Sequence, residues 1–366
     1  MAKDALPSTP TPEGERKKQP ERYDSLSRQP ITFPELVLLF LSWLAGFILR
    51  HWREASMVLI IAVLSTYFQF SNQAFLSGQG ISVVSQTVYP WAIIAAGEVM
   101  LLICGEIDLS VGNVFAFAPF IMYFVNQAGL PMWVGIICAL LVSGVVGLLN
   151  GAITVLLKIP SFITTLGTLF LLEGIALIIS GGFPITVPPA GALGLIFGHS
   201  FQFFGYNLAT GAVWAIAIAI VMQIVLSFTR WGLHTVATGG NILGASETGI
   251  NVNRIKIGNF IMCSMFGGLA GILEGFRIGS LDPTNGGANL MFMAVAGSVI
   301  GGTSLMGGSG TIIGAFLGTL VLAILQEGFT LLGVSAFTFD VILGIAILAA
   351  MILNVRIQLL REAGRR

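Results

Sequence analysis

From residue 54 to residue 157 the chain carries no Lys or Arg, and none again from 159 to 229. Cation-free apolar stretches of that extent have few folded forms open to them. A lipid-spanning helix needs about 20 apolar residues, and these stretches divide into several such lengths. Soluble domains hold about 25% charged residues, whereas this chain holds 9% and is 55% hydrophobic. Its 46 glycines point the same way, because small residues let lipid-embedded helices approach closely. The fold class expected is all-α, a polytopic transmembrane bundle.

Ten spans are expected, at about 56–71, 81–104, 112–127, 131–157, 162–180, 208–228, 258–277, 289–302, 311–332 and 336–354. The eighth is short enough to be re-entrant or broken, which is tolerated where protein covers it. Ahead of them lie a polar, proline-rich tail at 1–33 that reads as disordered and an interfacial or elbow helix at 34–54, with a full span as its alternative. The tail has no apolar leader, so no cleavable signal peptide is expected. The membrane-embedded body is expected at 55–355, and a basic tail at 356–366 follows it.

Ten spans put both termini on one side. The N-terminal tail, Arg50, Arg53, Lys158, Arg230, Arg254, Lys256 and the C-terminal tail then hold 16 of the 17 basic residues, with Arg277 alone opposite. By the positive-inside rule that side is cytoplasmic. No basic face exists to neutralise phosphates, so nucleic acid is not an expected partner. Membrane lipid is.

The longest internal run that water can solvate is 229–257, ending against the span that starts at Gly258. Within it Asn241, Ile242, Leu243, Gly244, Ala245, Ser246, Glu247, Thr248 and Gly249 read as one short helix, with Asn241 as N-cap and Gly249 as left-handed stop. A short helix in such a loop is a handle on which a soluble partner can push. On the other side, 181–206 is uncharged and rich in proline and aromatics, suited to packing or to docking an external partner.

Several polar groups interrupt the spans. The turn GEIDLSVG at 105–112 holds Glu106 and Asp108 with no cation near in sequence. Asp108 or Ser110 could cap the next helix, or Asp108 could take part in a translocation path. KIPSFITTLGT at 158–168 sets Ser161, Thr164, Thr165 and Thr168 around Pro160, either back-bonding to their helix or lining a route for a polar solute. GGTSLMGGSG at 301–310 is glycine-rich and permits close backbone approach. No Lys follows it, and GxxxxGK is absent, so the chain lacks a P-loop of its own for ATP. Asn150, Thr303 and Ser304 join Asp108, Thr164 and Thr165 as candidate path residues.

Glu98, Glu173, Glu274, Glu327 and Asp340 lie in or near spans. Glu274 and Arg277 are spaced to pair on one helix face. Ion-coupled carriers use such acids, so a secondary transporter of a small polar solute is the rival reading. Cys104, Cys138 and Cys263 show no ligand spacing, and the three histidines are isolated. No metal site, cofactor site or catalytic constellation is visible, and no enzymatic activity is expected.

The segments GEIDLSVGN, LLNGAITVLLKIPSFITTLGT, GGNILGASETGINVNRIK, RIGSLDPTNGG and VIGGTSLMGGSGTIIGAFLG, in that order and spacing, resemble the membrane permeases of ribose-type (monosaccharide) ATP-binding-cassette importers. The resemblance runs from about residue 56 to 354. It implies a permease dimer in the bacterial inner membrane, a cytoplasmic ATPase with two nucleotide domains, a periplasmic sugar-binding protein, and inward transport of a monosaccharide or related polyol. It also implies that 241–249 is the coupling helix seated in the ATPase. Relatives often carry two acids after the Asn, where this chain has Ile242 and Leu243, so a more apolar contact is expected.

Overall fold

The computed structural model describes residues 52–188 and 191–363. The tail expected at 1–33, the elbow helix at 34–54 except for its last three residues, and the end of the basic tail lie outside them.

Thirteen helices are described: α1 (Trp52–Ser71), α2 (Gly78–Ile103), α3 (Val111–Gln127), α4 (Met132–Leu156), α5 (Ser161–Ser180), α6 (Ala192–Phe197), α7 (Thr210–Phe228), α8 (Arg230–Gly240), α9 (Ile242–Glu247), α10 (Val252–Ile278), α11 (Gly287–Ile300), α12 (Ile312–Leu331) and α13 (Ala336–Ala363). Ten of them fall on the ten expected spans. Seven are long and apolar enough to cross a membrane: α1, α2, α4, α5, α7, α10 and α12. The eighth expected span is indeed short, a helix of 14 residues. Two differences concern the ends of spans. Helix α10 begins at Val252, so Arg254 and Lys256 ride on its first turns rather than in a loop. Helix α13 carries on through Arg356 and Arg361, into the segment expected to be a tail.

Helix α2 is the axis: 89% of its apolar window is buried, against 6% for α1. Around it α10 packs against α3 and α4 through glycine. A methyl group at Gly271 would fall 1.9 Å from the Phe115 carbonyl oxygen, and one at Gly147 2.4 Å from that of Phe260. Backbones meet directly there, which supplies the dispersion contact that lipid cannot displace. Large apolar side chains such as Leu141, Leu148, Phe170, Leu171, Ile216 and Ile220 stand exposed on α4, α5 and α7. A hydrophobic outer face of this kind suits lipid as its solvent.

The connections gather alternately at two ends, as antiparallel crossing requires. At one end the turn before α3 meets α5, where Ile107 N donates to Ser161 Oγ at 3.3 Å, and the turn after α11 meets α2, where Gly308 N donates to Ile103 O at 2.8 Å. At the other end β1 (Ile185–Thr186) pairs with β4 (Ser280–Leu281), and β2 (Ser200–Phe203) forms a hairpin with β3 (Tyr206–Ala209). There Asn72 Nδ2 also donates to Leu331 O at 3.0 Å.

Candidate functional site

The short helix α9 stands at the first of these ends. Its start is fixed by Asn241, whose side-chain oxygen accepts from Gly244 N at 3.0 Å. Its stop is a Schellman motif: Gly249, at φ +86°, donates to Ser246 O, and Ile250 N donates to Ala245 O at 3.0 Å. Both caps were expected from the residue types. Ala245 is buried and anchors the helix, while Leu243 is 76% exposed and Ile242 and Glu247 are exposed beside it. A six-residue helix held at both ends moves as one piece.

Helix α8, which the sequence does not announce, carries α9 to the bundle. Its penultimate residue, Gly239, lies so close to the end of α2 that a methyl group would fall 1.5 Å from the Ile103 carbonyl oxygen. Next to this contact Asn259 of α10 is wholly buried. Its side-chain oxygen accepts from Trp231 Nε1 at 2.8 Å, and its amide nitrogen lies 3.1 Å from Met100 O, 3.1 Å from Cys104 Sγ and 3.3 Å from Thr235 Oγ1. One amide therefore ties α8, α10 and α2. Sequence reasoning overlooked Asn259, although a lone Asn at the start of an apolar run was a visible signal.

A second group surrounds Asp108. Its Oδ1 accepts from Ser110 N at 2.9 Å and Ser110 Oγ at 2.6 Å, and its Oδ2 accepts from Ser264 Oγ at 3.2 Å. Asn150 Nδ2 donates to Ser110 Oγ at 2.8 Å and reaches Asp108 Oδ1 at 3.5 Å. Thr168 Oγ1 donates to Asn150 Oδ1 at 2.6 Å, and Leu109 N donates to Thr165 Oγ1 at 3.0 Å. Asp108 is wholly buried, and the bonds from Ser110, Ser264 and Asn150 satisfy its carboxyl oxygens there. The capping expectation is met only in part. Asp108 satisfies the amide of Ser110 itself, and Ser110 makes no side-chain bond to the first turn of α3.

Of the candidate path residues, Asp108, Asn150 and Thr165 are thus brought together. Thr164 is buried beside them, with no hydrogen bond to its hydroxyl among the described residues. Thr303 and Ser304 are buried in the turn after α11. Back-bonding by the α5 hydroxyls is found: Thr165 Oγ1 donates to Ser161 O at 2.8 Å and Thr168 Oγ1 to Thr164 O at 3.2 Å.

The fold also supplies the cation missing near Glu106. Lys256 Nζ meets its Oε1 at 2.5 Å, joining positions 150 residues apart. Glu274 and Arg277 pair at 2.7 Å as their spacing suggested, and Tyr89 Oη donates to the same carboxylate. Arg277 Nη1 reaches Gln86 Oε1 at 2.9 Å. Glu98 is buried against Cys263 Sγ, 3.5 Å away, whereas Glu173 is exposed. Among the described residues no group of His, Cys, Asp and Glu could hold a metal ion.

Residues 80–351 match a family model described as the permease component of the branched-chain amino acid transport system. The xylose/arabinose import permease protein XylH of Sulfolobus acidocaldarius is 39% identical, over 82% of this chain and 84% of its own. The autoinducer 2 import system permease protein LsrC of Salmonella typhi is 33% identical, over 84% and 86%. The ribose import permease protein RbsC of Escherichia coli K12 is 31% identical, over 82% and 91%. No solved structure matches.

Proposed function

Because the chain belongs to this family of transport-system permease components, we propose that it forms the path of an importer for a monosaccharide or related polyol and is driven through α9 by a separate ATPase. It is a multi-pass membrane permease subunit of an ATP-binding-cassette system, which works with an ATPase and a substrate-binding partner. Two of the three relatives are named for pentoses, and a pentose is the first substrate to try.

The single observation that carries the mechanism is α9: capped at both ends, anchored by Ala245, and presenting Leu243 and Ile242 outward. The side that holds 16 of the 17 basic residues is the cytoplasmic one in this reading. There α9 seats in a partner ATPase with two nucleotide domains, which alone binds ATP. The apolar pair widens that contact by desolvation rather than by charge. Motion of α9 passes through α8 to the Trp231–Asn259–Met100 bonds, and so to α10 and α2. Asp108, Asn150, Thr164 and Thr165 tie the turn before α3 and the adjoining parts of α4 and α5 to the middle of α10, and with Thr303 and Ser304 they line the inner part of the path. The opposite end, with its exposed Phe203 and Phe204, meets the periplasmic sugar-binding protein. A second copy of the permease completes the path in the bacterial inner membrane, and both termini are cytoplasmic.

Uptake into proteoliposomes tests this directly. With permease, ATPase and binding protein present, pentose uptake is expected to need ATP on the α9 side and to ignore collapse of ion gradients. Uptake that persists without ATP, or that stops with the gradient, would return the ion-coupled carrier to first place. Glu98, Glu173 and Glu327, the acids such a carrier would use, lie on three different helices, α2, α5 and α12, with Glu98 and Glu327 buried and Glu173 exposed.

A further inference from the structure

At the end away from α9 a cavity of about 520 Å³ opens between α2, α11, α12 and α13. Its volume lies within the range of about 300–1,000 Å³ common to small-molecule sites. Trp91 and Phe339 form apolar wall, and Asn285, Asn289, Gln326 and Asp340 supply polar groups. None of Asp108, Asn150, Thr164, Thr165, Thr303 and Ser304 lines it. The cavity reaches inward: Trp91 stands about 20 Å along α2 from Gly78, at roughly 1.5 Å per residue.

The hydrogen-bonding state of these side chains is unlike that of the Asp108 group. Among the described residues, none bonds to the side-chain amides of Asn285, Asn289 or Gln326, or to the carboxylate of Asp340. Each amide presents donors and acceptors together. A sugar hydroxyl is likewise both donor and acceptor, so three amides match a polyhydroxylated ligand better than an ion. No Lys, Arg or His lines the cavity, which disfavours phosphates and carboxylates. One exposed carboxylate beside three neutral amides is a weak cage for a cation, yet it accepts hydroxyl protons well. Aromatic wall supplies the face against which the C–H side of a sugar ring packs.

We propose that this cavity is a low-affinity station for a neutral polyhydroxylated solute, entered from the end opposite α9, with Asn285, Asn289 and Gln326 reading its hydroxyls. It rests on the transport reading above and adds to it the place and the chemistry of the ligand's first contact with the permease.

Substrate protection of a cysteine tests it. The full-length permease carrying Asn289→Cys, in lipid nanodiscs, is treated with a charged maleimide, and the rate given by native Cys104, Cys138 and Cys263 is subtracted. The expected result is reaction, slowed by at least one of D-xylose, L-arabinose, D-ribose and xylitol. With a dissociation constant of about 10 mM, about 100 mM solute slows it about tenfold by mass action. Glycine betaine and tetramethylammonium at the same concentration are expected to leave the rate alone. Failure to react, indifference to all four polyols, or equal slowing by tetramethylammonium would overturn the proposal. Asn285→Cys, on the loop ahead of α11, serves in the same assay if Asn289→Cys does not insert. If ATP-driven uptake is absent while protection holds, the transport reading falls and the cavity stands. If uptake is normal and protection is absent, only the cavity falls.

Discussion

Two polar groups in the bundle, the one around Asp108 and the one that lines the far cavity, use their side chains in opposite ways. At the α9 end, Asp108, Ser110, Asn150, Thr168, Ser264 and Asn259 bond to one another or to backbone. At the far end, Asn285, Asn289 and Gln326 face a cavity with their amides unbonded within the described residues. The first pattern fixes helices to each other, since a buried polar group is costly unless paired. The second leaves hydrogen-bonding capacity for something that arrives. Residue type alone does not separate these roles, because an Asn serves in both. What separates them is whether the fold has already satisfied it.

Substitutions can break or sharpen this contrast. The largest effect is expected for Asp108→Leu. It strands the donors of Ser110 and Ser264, and each stranded buried group costs about 1–3 kcal/mol, so a total loss of about 3 kcal/mol or more is expected. Thermal unfolding of the detergent-solubilised chain, followed by size-exclusion fluorescence, reads it. Next comes Gly271→Ala, which drives a methyl into the Phe115 carbonyl and should cost about 2 kcal/mol by overpacking. A neutral result there would mean that α3 and α10 separate without penalty, and the glycine seam would lose its meaning. Ser264→Ala removes one bond to Asp108 and should cost about 1 kcal/mol in the same melt. The smallest stability change, within about 0.5 kcal/mol, is expected for Gln326→Ala, because that amide has nothing to lose inside the protein. Pentose uptake should nevertheless fall. A Gln326→Ala melt as low as that of Ser264→Ala would erase the difference between the two groups.

Much of the scaffold was legible in the sequence, because lipid permits only apolar helices and those runs are long. A helix appears at each of the ten expected positions, seven of them long and apolar enough to cross a membrane, and Asn241 and Gly249 cap α9 as their chemistry suggested. Pairings across the fold were not legible. Nothing in the chain order links Lys256 to Glu106, or Ser264 to Asp108, since each pair forms only when α10 packs beside the turn before α3. Helix α8 was hidden because its glycines and threonines weaken the local helical signal. The short strand pairs at the far end join segments with no alternating pattern. Asn289 and Gln326 each look like a stray polar residue in an apolar run. Their convergence is a property of how α11 and α12 flank α2 and α13.

The account depends on which end faces the ATPase, and side-specific labelling measures that most directly. Leu243→Cys on α9 and Phe204→Cys in the β2–β3 turn are both exposed positions. In right-side-out vesicles a membrane-impermeant thiol reagent is expected to modify position 204 and to spare position 243 until the membrane is opened. In inside-out vesicles the order should reverse. Labelling of position 243 from the outside of intact vesicles would contradict the account.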